Sequence, residues 1–196
     1  MTDANPLEPY DAVLLASFGG PEKPDEIMPF LRRVTAGRGI PDERLAEVAH
    51  HYEELGGRSP INDQNRALIA ALRAELDRRD ITTPILWGNR NSEPFLTDVL
   101  REAYDGGMRN VVALTTSAYS SYSSCRQYRE NLAEALDELR RAARTLGPDL
   151  PTVSTVFVGG RYAPVAITGS GKAFRSSLPT GVSGNLSITV IDCGTM

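Results

Sequence analysis

Cysteine, histidine and long apolar runs are all scarce in this 196-residue sequence. Its two cysteines, Cys125 and Cys193, are too few for the disulfide scaffold of a small secreted protein and lack the spacing of a structural zinc site. No window approaches the roughly 20 apolar residues that span a bilayer, so no membrane span is expected. A cationic excess is missing as well. The 21 Lys+Arg stand against 25 Asp+Glu, a formal charge of −4, and no nucleic-acid partner held by bulk charge is expected. With 41% apolar and 23% charged residues the chain is neither a disordered tail nor collagen. The first ten residues carry acids where a signal peptide carries Lys or Arg, and a cytoplasmic protein is expected. Lysine occurs at Lys23 and Lys172, so the basic residues are almost all arginine, a bias of a GC-rich genome rather than a site.

What is present alternates between two periods. Residues 11–17 form a short, almost continuous apolar run stopped by Phe18-Gly19-Gly20-Pro21, the pattern of a strand buried on both faces. Pro24 opens a stretch with Ile27, Phe30, Leu31 and Val34 at helical spacing. Pro41, placed at the first helical position, with Asp42 and Glu43 begins a second helix that ends at Gly56-Gly57. A third runs from near Asn62 through Leu68, Ile69, Leu72 and Leu76 to Arg78. Residues 84–88 read as a strand, and Ser92 caps a helix holding Phe95, Val99 and Leu100 that Gly106-Gly107 closes. Residues 110–116 are a third strand, 126–146 a helix and 152–158 a fourth strand. Strands alternating with helices predict an α/β fold, a parallel open sheet flanked by helices on both faces.

Residues 1–158 are assigned to this domain, and residues 159–196 to an irregular C-terminal tail. Glu138 is the last glutamate, and Asp192 is the one acid after residue 158. Two readings of the tail are open: a disordered or weakly β segment, and a stretch read in a shifted frame. Leu186 to Ile191 alternates well enough for an added strand.

The glycines after strand one lie at a carboxyl edge where open α/β sheets bind ligands, yet Glu22-Lys23-Pro24 does not complete a dinucleotide fingerprint. The adjacent His50 and His51 diverge by about 100 degrees on a helix and cannot chelate one ion together. They read as one solvated ring and one lining a groove. Cys125 reads as a structural thiol. The segment Thr115 to Tyr128 combines hydroxyls with three tyrosine rings and Arg126, a wall suited to a flat ligand with peripheral carboxylates, or else an ordinary serine-rich turn.

Four blocks then occur in order: residues 14–21 (LLASFGGP), 51–62 (HYEELGGRSPIN), 88–95 (GNRNSEPF) and 116–128 (TSAYSSYSSCRQY). Together they resemble the ferrochelatase family, most closely its coproporphyrin-type members, over about residues 10–150. The resemblance implies one half of a two-domain chelatase with a flavodoxin-like sheet, holding a porphyrin in a cleft while ferrous iron replaces two pyrrole protons. It implies that Ser59 and Tyr128 contact porphyrin propionates, that His51 and Tyr52 form a substrate-contacting pair, and that Arg38 is a further propionate partner. Phe18 stands where several relatives carry an iron-ligating tyrosine and can here pack on the macrocycle alone. No catalytic or metal-ligating residue is assigned. No cofactor is expected: Fe²⁺ is a substrate, and two cysteines cannot build the [2Fe–2S] cluster some members hold. The family's metal-handling histidine and glutamate lie in the second half, and this chain has no histidine after His51 and no glutamate after Glu138. Weak or absent iron insertion by the chain alone is expected, with self-association through the exposed interdomain face. The alternatives are a non-enzymatic porphyrin-binding or defective fragment and an unrelated flavodoxin-like nucleotide binder.

Overall fold

The computed structural model describes residues 5, 7–117, 126–143, 152–157 and 190–191. They build a five-stranded, wholly parallel sheet in the order β2-β1-β3-β4-β5. The strands are β1 (Ala12–Ser17), β2 (Ile85–Asn89), β3 (Asn110–Thr115), β4 (Thr152–Phe157) and β5 (Val190–Ile191). β1 lies between β2 and β3, with Leu14 opposite both Leu86 and Ala113. This interior position explains why its sequence is apolar at nearly every residue rather than at every second one.

One face of the sheet carries Ala12, Leu14, Ala16, Val111 and Ala113, packed against α4 (Leu96–Asp105) and α5 (Gln127–Ala143) through Leu96, Leu100, Leu132, Leu136 and Leu139. Residues 132, 136 and 139 recur at helical spacing, so α5 presents one apolar stripe to the strands. Across the opposite face runs α3 (Ile61–Arg78), whose Asn65 Nδ2 donates to Ser17 Oγ at 2.6 Å. Helices α1 (Ile27–Val34) and α2 (Asp42–Glu54) form a separate layer around Ile27, Phe30, Leu31, Leu45 and Ala49, with Phe18 packed against it. Phe18 directly follows β1, so this layer sits by the carboxyl edge of the sheet.

Three local expectations need correction. Ser92 does not cap α4: its Oγ accepts the Gly20 N–H at 3.0 Å, and Phe95 precedes the helix without a side-chain cap. The reason is that the chain after β2 is bound to the end of β1, with Arg90 N–H donating to Ser17 O at 2.9 Å and Asn91 N–H to Phe18 O at 3.1 Å. Pro24 opens a single 3-10 turn, Pro24–Glu26, before α1 begins. Pro41 stands one residue outside α2, in extended backbone, and its carbonyl accepts the Arg44 and Leu45 N–H groups. Val190 and Ile191, inside the alternating 186–191 run, pair in parallel with β4. The rest of the tail, the division at residue 158, Cys125, Cys193 and the serine-tyrosine segment 118–125 lie outside the described residues. No described helix is long and apolar enough to cross a membrane.

Candidate functional site

The four sequence blocks meet at the carboxyl edge of the sheet. Gly20 lies so near the second block that a Cβ there would come within 2.5 Å of Ser59 Cβ, and Ser59 N–H donates to Pro21 O at 2.8 Å. Gly57 opens the close passage beside it: φ is +76° and an added Cβ would meet Pro24 Cγ at 2.6 Å. The third block is bound to the first through the Arg90, Asn91 and Ser92 hydrogen bonds, and Asn91 Nδ2 also donates to Phe18 O at 3.0 Å. The fourth reaches the same point through Tyr128.

Arg90 is the centre of this convergence. Its guanidinium lies 4.8 Å from the Tyr128 ring centroid and 5.5 Å from that of Phe18. Its Nε donates to Asn131 Oδ1 at 2.7 Å, and it shares a hydrogen bond with the Tyr128 side chain. Burial lowers the Arg90 pKa from the usual arginine value, and the positive charge of Arg38 pushes the same way. Burial raises the Tyr128 pKa, partly offset by Arg90 and by a hydrogen bond with Thr116. A half-buried cation against two rings, with a second cation nearby, gains from an approaching anion.

The residues singled out from the sequence are distributed around this centre. Tyr128 is 3% exposed and belongs to the sheet core, so its ring supports Arg90 from beneath. Phe18 meets Phe30 edge-on at 6.1 Å, and Phe30 meets Tyr52 at 6.2 Å, so an aromatic row links Phe18 to α2. Burial also raises the Tyr52 pKa. Arg38 is exposed in the loop after α1. Ser59 is half-buried, and its Oγ accepts the Ile61 N–H at 3.4 Å, at the start of α3.

His51 is exposed, as is His50, which pairs with Glu53 at 3.4 Å and Glu54 at 3.6 Å. The sequence expectation of one solvated ring and one lining a groove is thus corrected: both rings are exposed, and Leu45, Ala49 and Tyr52 follow the inward face of α2. Arg126 pairs with Glu130 at 2.9 Å. Among the described residues no group of three or more His, Cys, Asp or Glu is placed to hold a metal ion.

Arg90 lies inside the 88–95 block but is not among the site residues expected from the sequence. The available signal was a charged residue directly after an apolar strand, at the edge where open parallel sheets bind ligands.

A protein-family description named Ferrochelatase matches residues 10–153. The chain belongs to the ferrochelatase family. It is 66% identical over 129 residues to a coproporphyrin III ferrochelatase of Leifsonia xyli, covering 66% of this chain and 33% of the relative. To the coproporphyrin III ferrochelatase of Streptomyces coelicolor it is 56% identical over 153 residues, or 78% of this chain and 40% of the relative. A ferrochelatase of Rhodopirellula baltica is 52% identical over 137 residues, 70% of this chain and 40% of that protein. The chain therefore spans between a third and two fifths of the length of these ferrochelatases, and it matches their amino-terminal part. Membership of the family sets aside the unrelated nucleotide binder.

Proposed function

We propose that this chain binds a carboxylated porphyrin, coproporphyrin III, at the carboxyl edge of its sheet and forms one wall of the cleft where ferrous iron enters the ring. The observation that carries the reading is Arg90, half-buried against the Phe18 and Tyr128 rings with the Arg38 charge nearby. A flat macrocycle with ionised propionates satisfies both halves of such a site: its face meets rings and its rim meets cations. The names of the relatives favour coproporphyrin III as the ring. In this reading Phe18 packs on the macrocycle, Arg38 and Ser59 meet propionates, and His51 with Tyr52 form the outer rim. Tyr128, named from the resemblance as a propionate contact, acts through Arg90, which its ring and hydroxyl hold. The chain is assigned a cytoplasmic place and no resident cofactor.

Iron insertion requires a ligand that strips water from Fe²⁺ and a base for two pyrrole protons. Phe18 has no donor atom for the first task, and no histidine follows His51 or glutamate follows Glu138 for either. The 196 residues by themselves are therefore proposed to bind porphyrin without metallating it. Self-association belongs to the same reading. Leu68 on α3 is 40% exposed and Leu55, just after α2, is 70% exposed, and a second copy of the chain is the proposed cover for these apolar side chains.

Titration of the full chain with coproporphyrin III, followed by its Soret band, tests the binding. A saturable shift is expected, abolished in the Ser59→Ala plus Tyr128→Phe double variant. Absence of a saturable shift with the unsubstituted chain contradicts the reading.

A further inference from the structure

We infer that Asn131 and Glu134 on α5 are positioning residues that aim the Arg90 guanidinium at the carboxyl edge of the sheet. The inference rests on the reading that Arg90 meets a porphyrin carboxylate and extends it to residues that do not themselves touch the ring.

Asn131 Oδ1 accepts the Arg90 Nε–H at 2.7 Å, and Asn131 Nδ2 donates to Glu134 Oε2 at 3.1 Å. Residues three apart share one face of a helix, so Asn131 and Glu134 stand side by side on α5 facing the end of β2. The order of the relay matters. A carboxamide has one acceptor and one donor end, and the ionised Glu134 carboxylate accepts alone. With Glu134 taking the donor end, the Asn131 oxygen must face Arg90; the reversed amide would set N–H against N–H and oxygen against oxygen. Glu134 thereby fixes the amide, the amide fixes Nε, and a planar guanidinium fixed at Nε has its orientation over the Tyr128 ring determined.

Packing of α5 does not require this pair. The apolar contacts of the helix run through Leu132, Ala135, Leu136 and Leu139, whereas Glu134 is exposed and Asn131 is half-buried. Both residues instead line a polar cleft of about 190 Å³ together with Asn89, Arg90 and Thr97. The Glu134 charge also favours the charged form of Arg90, opposing the effects of burial and of Arg38. A free arginine in this place would retain its rotamers and lose them on each binding event; the relay removes that loss before the ligand arrives.

A double-mutant cycle on the full chain tests this, with coproporphyrin III affinity as the readout. Asn131→Ala is expected to weaken binding about fivefold, the scale of one ordinary net hydrogen bond, and Glu134→Ala somewhat less. Glu134→Gln, which keeps an acceptor for the Asn131 amide but adds a donor and loses the charge, is expected to recover part of the affinity that Glu134→Ala loses. In an Arg90→Ala background the Asn131→Ala change is expected to have no further effect. Equal weakening with and without Arg90 means that Asn131 acts through helix stability and overturns the inference. So does an unchanged affinity of Asn131→Ala and Glu134→Ala, with Arg90→Ala still weakened; the porphyrin reading then stands. A parental chain that does not bind the porphyrin overturns both. The exposed Glu134 pair of variants carries the test should Asn131→Ala fail to fold.

Discussion

Asp11 stands one residue before β1, and its carboxylate accepts the backbone N–H groups of Arg109 and Asn110, both at 2.7 Å. These two donors tie the start of β3 to the start of β1 and hold the carboxyl below its ordinary value of 3.8. A carboxyl lowered in the folded state contributes stability in full above its unfolded pKa and loses it as the pH falls through the folded value. The side chain is exposed, so the contribution is screened, and Asp11→Ala is expected to cost about 1 kcal/mol at pH 7. Denaturant unfolding at a series of pH values checks this. The difference between parent and variant should shrink as the pH falls below the ordinary carboxyl value, and a difference that stays constant would contradict the role. At this scale the sequence was informative where chemistry is local and silent where it is not. Gly20 and Ser59 could each be recognised within a block, but their contact joins positions far apart in the chain. Ser92 read as a helix cap by its type and place; a backbone donor from the first block claimed its hydroxyl instead.

Among the helices, α5 follows its periodicity closely, because one apolar stripe meets one sheet face. Helix α3 follows its periodicity too: Ile69, Leu72 and Leu76 are half-buried on the same side as the buried Asn62 and Asn65, while Leu68, at the margin of that side, is exposed. Hydrogen bonds anchor its first turns. Asn65 donates to Ser17 Oγ, and Asn62 Nδ2 donates to Gly20 O and to Glu22 Oε1, both at 3.0 Å. Polar anchors of this kind leave no periodic trace in a hydropathy pattern. The exposed Leu55 and Leu68 predict concentration-dependent association of the chain. Sedimentation velocity across a wide concentration range should show a dimer or larger species for the parent, and Leu55→Glu with Leu68→Glu should shift it toward monomer. A parental chain that sediments as a monomer throughout contradicts the association.

For the whole molecule, alternation of strands with helices made the parallel sheet legible, and the right-handed crossover rule limits the layouts. The position of β1 between β2 and β3 was signalled by its two-sided apolar run. Harder to read was how the four blocks meet, since that depends on the crossing of the segments after β1 and β2 at one edge. The result is a cationic, aromatic edge without a described metal-holding cluster. Incubated anaerobically with Fe²⁺ and coproporphyrin III, the chain is expected to leave the free-base spectrum of the porphyrin intact. A metalloporphyrin spectrum appearing at an enzymatic rate would contradict the proposed division between binding and insertion.

The central claim is that ring carboxylates are held by the charge of Arg90. Comparing the affinity of the chain for coproporphyrin III with its affinity for the tetramethyl ester of the same porphyrin tests that claim most directly, because the macrocycle is unchanged and the anions are removed. The account predicts that the acid binds at least about tenfold more tightly and that Arg90→Ala erases most of the difference. Equal affinity for acid and ester would contradict it.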